Sequence, residues 1–218
     1  MPFLKNYPFL GKIAFGFIIG VLAIALCYFY FDPLIAYKMA KYHLPKSIFL
    51  KWMNDISTAA RIFAFLLIIT LGIKAGWKPL TRNEKSFFTL GLAAGISIYL
   101  KDLLKVGFGR FWPATWYMDN PSLLKDQAYG FHFWKWDYAY GAFPSGHTTI
   151  VFCVMTFVWV LAPKWRWAAA VICTIQIIPL LLLNYHFLGD LISGALLGSL
   201  CAIFAIRINH LAKKENVN

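Results

Sequence analysis

The stretch IAFGFIIGVLAIALCYFYF, residues Ile13–Phe31, contains no charged side chain. A helix needs about 20 mostly apolar residues to cross a bilayer. We therefore interpret this stretch as the first of six membrane-spanning helices. Its bulky end, CYFYFDP, has no small-residue cleavage site, which favours a retained span over a signal peptide. The other five predicted spans are about Ile56–Ile73, Phe87–Leu104, Thr148–Ala162, Trp167–Leu183 and Leu188–Ile206.

The composition agrees with a membrane protein. The 218 residues are 60% hydrophobic and only 14% charged, whereas charged residues make up about a quarter of a typical soluble domain. The net charge of +12 comes from cations that flank apolar segments, so lipid head groups explain them better than nucleic acid does. We expect one integral membrane domain, residues 1–218, with membrane lipids as neighbours and no nucleic-acid partner.

The distribution of Lys and Arg predicts the orientation of the chain. Six spans place both termini on one side, where the short segments carry eleven cations: Lys5, Lys12, Lys74, Lys78, Arg82, Lys85, Lys164, Arg166, Arg207, Lys213 and Lys214. The other side carries nine over nearly twice the length: Lys38, Lys41, Lys46, Lys51, Lys101, Lys105, Arg110, Lys125 and Lys135. The positive-inside rule then places the termini in the cytoplasm. The long loop Lys105–Gly146, between the third and fourth helices, and the turn near His186 face outward.

The first polar cluster is KVGFGRFWP, Lys105–Pro113. Its two glycines, Gly107 and Gly109, allow close backbone approach. Arg110 can give a phosphate two parallel hydrogen bonds, and Lys105 adds a point charge. The alternative is a pair of cations that anchors the helix at the head groups. The aromatic residues of the loop that follows are either an ordinary interfacial belt or a wall that guides a lipid chain.

The second polar cluster is FPSGHTT, Phe143–Thr149. Ser145, Gly146 and His147 fall at the predicted start of the fourth helix, where free backbone N–H groups bind anions. A histidine in the same turn can donate a proton to a leaving oxygen. The alternative is a simple Ser cap with a histidine that takes no part in chemistry.

The third polar cluster is NYHFLGD, which contains His186 and Asp190. The i, i+4 spacing predicts that both side chains share one helical face. Asp190 can then hold one ring nitrogen of His186 and leave the other free to attack. The alternative is a buried polar pair that ties helices together.

Together these residues resemble the type 2 phosphatidic acid phosphatase (PAP2) superfamily. Its motifs are Lys-x6-Arg-Pro, Pro-Ser-Gly-His and Ser-Arg-x5-His-x3-Asp, on one face of a bundle that usually has six helices. The resemblance implies an all-α, six-span fold and no metal or other cofactor. It implies His186 as nucleophile, Asp190 as its orienting partner and His147 as general acid. It also implies Lys105, Ser145 and the amide of Gly146 as phosphate ligands.

The sequence departs from this pattern at two positions. Trp112 stands where the family has the arginine of its first motif, and Leu180 stands near the Ser-Arg of its third. We expect Arg110 to replace at least one missing phosphate ligand, with Lys101 or Lys135 as further candidates. Otherwise Lys101 and Asp102 form a surface pair.

The predicted function is therefore a phosphatase of the cytoplasmic membrane whose site faces outward. It acts on a lipid-linked phosphate such as undecaprenyl pyrophosphate, phosphatidic acid, phosphatidylglycerol phosphate or a lipid A phosphate, through a phosphohistidine. A phosphotransferase and a non-catalytic lipid-phosphate binder or transporter remain as alternatives. The sequence does not determine the oligomeric state.

Overall fold

The computed structural model describes residues 7–42 and 55–215. Within these ranges the chain is helical and forms no β-sheet. The α-helices are α1 (Tyr7–Leu26), α2 (Asp32–Lys41), α3 (Ile56–Ala75), α4 (Arg82–Phe108), α5 (Leu123–Asp126), α6 (Gly146–Leu161), α7 (Arg166–Leu182) and α8 (Leu188–Glu215). Short 3-10 turns form at Tyr138–Tyr140 and Pro163–Trp165. Three cations used to predict the orientation, Lys5, Lys46 and Lys51, lie outside the described residues.

Five helical stretches are long and apolar enough to cross a membrane: Phe9–Lys41, Ile56–Ala75, Arg82–Phe108, Pro163–Leu182 and Leu188–His210. They contain five of the six predicted spans. The remaining span, Thr148–Ala162, corresponds to α6, which is apolar but has only 16 residues.

The first span continues further than the sequence predicts. A π-helical turn, Cys27–Phe31, joins α1 to α2 without a break, so the helical stretch reaches Lys41. Pro33 follows Asp32 in the first turn of α2, a position at which the fixed φ of proline suits the start of a helical segment. The wider winding of the π turn changes the direction in which the following side chains point. Asp32, the residue directly after this turn, is fully buried.

Two glycines bring α6 and α8 into close contact. A Cβ atom at Gly194 would lie 2.5 Å from the carbonyl oxygen of Ser145, and one at Gly198 would collide with the carbonyl of Thr149. Small residues one helical turn apart let helix backbones approach each other closely in membranes. This contact places the start of α6 beside the start of α8. The second and third polar clusters therefore lie at the same end of the bundle.

The segment between α4 and α6, residues 109–145, folds over this end of the bundle. Gly109 ends α4 in a left-handed conformation with φ of 51°, and a Cβ atom there would collide with the backbone of His132. The predicted close approach at Gly109 is therefore confirmed, whereas Gly107 has open space around it. The backbone N–H of Arg110 donates to Tyr140 at 2.7 Å, which ties the two ends of the segment together.

Candidate active site

The start of α6 has the form that the sequence predicts. Ser145 is the N-cap, and its hydroxyl accepts a hydrogen bond from the amide of Thr148 at 3.4 Å. Its own backbone N–H donates to the carbonyl of Asp190 at 3.0 Å. Gly146 and His147 form the first turn, where backbone N–H groups and the helix dipole favour an anion. Ser145 is itself fully buried.

His186 and Asp190 are neighbours, but their geometry differs from the prediction. Helix α8 begins only at Leu188, so His186 lies in the preceding turn and the two residues do not share a helical face. Asn184, with φ of 54°, makes this turn sharp. The Nδ1 atom of His186 lies 3.6 Å from Oδ2 of Asp190, which is an ion-pair distance rather than a hydrogen bond. Such contacts often tighten only when substrate binds.

The first polar cluster, Lys105–Pro113, also lies close to His186. The rings of His147 and His186 lie 6.3 Å apart between centroids, and the ring of Trp112 lies 5.2 Å from that of His186. The ammonium group of Lys105 is 5.3 Å from the centroid of Trp112 and donates to the carbonyl of Gly141. All three polar clusters thus meet around His186.

The surroundings of His186 favour its neutral form. Burial lowers the pKa of His186 below its ordinary value of 6.5, the carboxylate of Asp190 opposes this shift, and Lys105 adds to it. Among the residues that the structure describes, its Nδ1 atom has no hydrogen-bond partner. A neutral imidazole has the free nitrogen lone pair that a nucleophile needs.

The structure departs from the prediction for Arg110. The residue has no exposed surface, and its guanidinium donates to Asp190 Oδ1 at 2.6 Å and to Asp32 Oδ2 at 2.7 Å. Burial acts to lower the pKa of Arg110, but the two carboxylates outweigh it and raise the pKa above its ordinary value. Because the guanidinium already donates to two carboxylates, we interpret these carboxylates, and not a phosphate, as its partners.

A cavity of about 550 Å³ is lined on one side by Trp112, and neither His147 nor His186 is part of its lining. Its cations are Lys101, Lys105 and Lys135, and its aromatic walls include Trp112, Trp136 and Tyr138. Trp112 connects the two places, because it lines the cavity and also contacts the ring of His186. Trp112 is held by a hydrogen bond from its indole N–H to the carbonyl of Tyr138 at 2.7 Å. The cavity therefore combines three lysines and two carboxylates, those of Asp102 and Asp137, with an aromatic wall.

Three residues of the site differ from the expectations or were missed. Lys101 pairs with Asp102 as expected, but both line the cavity and the side chain of Lys101 is only 16% exposed. Leu180 is fully buried and supports His186 through its carbonyl, which accepts the backbone N–H of His186 at 3.2 Å. Asp32 was missed. An acidic residue between an apolar run and a proline was the only signal that could have indicated it.

Within the described ranges, no three His, Cys, Asp or Glu side chains lie close enough together to hold a metal ion. All four cysteines are free, and Cys153 packs in the core between helices as an apolar residue would.

Comparisons with known proteins agree with the motifs. No curated protein matches the chain. A solved structure described as the first transmembrane PAP2 type phosphatidylglycerolphosphate phosphatase from Bacillus subtilis is similar to it, with 19% sequence identity and a TM-score of 0.52. That similarity covers 91% of this chain and 96% of the other. The PAP2 superfamily profile matches residues 86–214, more than half of the 218 residues, so the chain belongs to the PAP2 superfamily.

Proposed function

We propose that this protein is a membrane phosphatase that hydrolyses a lipid-linked phosphate or pyrophosphate through a phosphohistidine. The observation that carries the proposal is the arrangement around His186. Asp190 lies behind one ring nitrogen, His147 lies across from the ring, and a cavity with three lysines opens beside it. Family membership supports phosphatase chemistry at this place.

The proposed reaction has two steps. Asp190 faces Nδ1 of His186, which leaves Nε2 to attack phosphorus. The bond between phosphorus and the lipid oxygen breaks, and His147 donates a proton to that oxygen. Water then attacks the phosphohistidine and returns a proton to His147, and inorganic phosphate leaves. The negative charge of the substrate favours the protonated form of His147 that the first step requires.

The proposed phosphate ligands are Lys105, the amide of Gly146 and the other free N–H groups of the first turn of α6. Ser145 is proposed to complete this set, and its hydroxyl also shapes that turn by accepting from the amide of Thr148. Lys101 lies within reach of the same turn, since a Cβ atom at Gly146 would lie 3.6 Å from its ammonium nitrogen. Lys135 lines the cavity further along. Lysine charge then takes the place of the arginines that are absent at Trp112 and Leu180.

We also propose how the protein lies in the cytoplasmic membrane. The joined α1–α2 and helices α3, α4, α6, α7 and α8 give six crossings with cytoplasmic termini. The residues 109–145 and the site then face outward, where aromatic side chains such as Trp136, which is 86% exposed, meet the lipid interface. The test is labelling of single cysteines by an impermeant maleimide in intact cells. Label should reach position 136 and not position 77, which is equally exposed at the other end of the bundle.

The function is tested by phosphate release from purified protein with the four lipid classes named above. His186→Ala should abolish release, and His210→Ala, at the far end of α8, is the matched control. Release that survives His186→Ala, or no release from any lipid, would contradict the proposal. Transfer of the phosphoryl group to a second lipid in place of water would identify a phosphotransferase instead.

A further inference from the structure

Arg110 joins two carboxylates that are far apart in the sequence. Its Nη1 atom donates to Asp190 at 2.6 Å and its Nη2 atom to Asp32 at 2.7 Å, and none of the three side chains has exposed surface. Nη2 also donates to the hydroxyl of Tyr129 at 3.0 Å. This triad consists of one cation and two anions, and the planar fork of arginine suits it because each terminal nitrogen holds a different carboxylate.

Aromatic rings enclose the guanidinium on its remaining sides. The rings of Tyr28, Tyr129, Phe131 and Phe187 have their centroids within 4.4 to 5.4 Å of Arg110 Cζ. Arg110 is also absent from the lining of the cavity. The guanidinium is therefore held away from the cavity and from a phosphate bound there.

The contact with Arg110 limits how the carboxylate of Asp190 can be oriented. Oδ1 accepts from Arg110, and Oδ2 accepts from the backbone N–H of Phe187 at 3.0 Å. With both oxygens held in this way, Oδ2 is the oxygen that faces Nδ1 of His186. Loss of the Arg110 contact would free the carboxylate to rotate away from the imidazole.

Asp32 holds the other side of Arg110 and comes from the first helical stretch. Its Oδ1 atom accepts from the backbone N–H of Gly189 at 2.9 Å, next to Asp190. A Cβ atom at Gly189 would lie 2.9 Å from Asp32 and 3.4 Å from Arg110, so these groups approach the start of α8 closely. A second bond supports the same contact, since Asn184 donates to the carbonyl of Ala36 at 3.1 Å.

We propose that Arg110 is a positioning residue that holds Asp190 against His186, and that Asp32 anchors Arg110 so that the first helical stretch supports the active site. This inference rests on the proposed phosphatase function. It assigns Arg110 a role through Asp190 and not a contact with the substrate.

The variant Arg110→Lys separates the two roles. Lysine keeps the charge, but its ammonium group is a single point and does not reproduce the planar fork in which Nη1 and Nη2 hold separate carboxylates. We expect kcat to fall by about 10- to 100-fold, the loss typical when an outer-shell partner that orients a metal-ligating side chain is replaced. The inhibition constant of inorganic phosphate should stay within about twofold of wild type. A phosphate ligand would behave in the opposite way, with weaker inhibition by phosphate.

A second measurement does not depend on activity. His186 can be titrated by NMR with ¹³C-labelled histidine, and its resonance assigned by its loss in His186→Asn. The charged or titratable groups that face it are Asp190, Lys105 and His147. Since Asp190 raises the pKa of His186, release of Asp190 in Arg110→Lys should lower that pKa, in the same direction as Asp190→Asn. A role in stability alone would not move the titration.

Asp32→Asn should reduce kcat in the same way by about tenfold, again with unchanged inhibition by phosphate. Asp119→Asn is the matched control, because Asp119 pairs with Lys125 on the exposed surface and should leave kcat unchanged. If neither Arg110→Lys nor Asp32→Asn elutes as a folded protein, Tyr129→Phe is measured instead, because it removes only one neutral hydrogen-bond partner of Arg110. It should lower kcat by about threefold, as expected for one net hydrogen bond.

The outcomes separate the two proposals. An active wild type in which Arg110→Lys leaves kcat and the titration of His186 unchanged, or only weakens phosphate inhibition, overturns the positioning role while the phosphatase function stands. A wild type that releases no phosphate overturns the function. In that case an unchanged titration of His186 in Arg110→Lys still overturns the positioning role, and a lowered pKa still supports it.

Discussion

Asp190→Asn is the substitution for which the structure makes the sharpest prediction. The side chain makes three contacts: Oδ1 receives a hydrogen bond from Arg110, Oδ2 receives one from the backbone of Phe187, and Oδ2 faces His186 Nδ1 at 3.6 Å. All three neighbours are donors in the catalytically competent form. An asparagine supplies only one acceptor oxygen and replaces the other with an NH₂ group.

In either orientation of the new amide, its NH₂ group faces another hydrogen-bond donor. If its oxygen keeps Arg110, its NH₂ faces the N–H of Phe187 and donates to Nδ1 of His186. That bond fixes the proton on Nε2, the nitrogen that should attack. If its oxygen keeps Phe187, its NH₂ faces the guanidinium instead. The equivalent exchange in the Ser-His-Asp triad lowers kcat by about 10⁴ through the wrong tautomer.

The stability cost should be much smaller than the catalytic cost. Arg110 keeps its ion pair with Asp32, so no cation is left buried without a partner. The loss is about one hydrogen bond to a charged group, or about 1.5–3 kcal/mol. We therefore expect a folded protein with a slightly lower melting temperature and a kcat reduced by about 10⁴.

The assay is phosphate release under single-turnover conditions, with thermal unfolding measured on the same preparation. Asp119→Asn provides the control for a general loss of negative charge. A kcat for Asp190→Asn within about threefold of wild type would refute the assigned role of Asp190. Unfolding of the variant at ordinary temperature would refute the estimate of stability.

Four further predictions follow from the same geometry. Lys105→Met should lower kcat/KM by about 10²–10³, the cost of one charged transition-state ligand, while Lys125→Met in the exposed pair with Asp119 should have no effect. Gly198→Ala should lower the free energy of unfolding by about 1–3 kcal/mol, whereas Gly16→Ala, with nothing within 4 Å, should not. Because the pKa of His186 is below 6.5, the acid limb of kcat/KM should lie below pH 6.5. Below pH 6.5 the unfolded state binds more protons than the folded state does. The contribution of His186 to the free energy of unfolding is therefore complete above pH 6.5 and is lost as the pH falls, and unfolding measured as a function of pH tests this. A chelator should leave phosphate release unchanged, since lysines and the amides of α6 meet the charge of the phosphate.

Local patterns in the sequence predicted the parts of the site that depend on nearby residues. The cap at Ser145 and the position of His147 follow from the residues that start one helix, and the close backbone approach at Gly109 follows from its lack of a side chain. Five of the six predicted spans correspond to helices long enough to cross a membrane for a similar reason, since each depends on its own run of apolar residues. The shared-face argument for His186 and Asp190 failed because α8 begins two residues after His186, at Leu188.

The parts that could not be predicted depend on contacts between distant residues. Asp32 and Arg110 are separated by 78 positions, and only the packing of the first helical stretch against the start of α8 brings them together. The predicted span ends at Phe31, just before Asp32 and Pro33. In the structure the helix continues through the π-helical turn Cys27–Phe31 into α2, with Pro33 in the first turn of α2.

The buried triad also explains why Arg110 is a poor substitute for the absent arginines. A guanidinium that moved toward a phosphate in the cavity would leave Asp32 and Asp190 buried without their shared cation. Breaking a buried ion pair in this way costs about 3–5 kcal/mol, which is as much as a charged ligand contributes to a transition state. The exchange would bring no net gain, and it would also release Asp190 from His186. Under the proposed function, the charge that binds phosphate therefore comes from residues that have no such partner to lose. Lys105, which donates to a backbone carbonyl at the edge of the cavity, meets that condition.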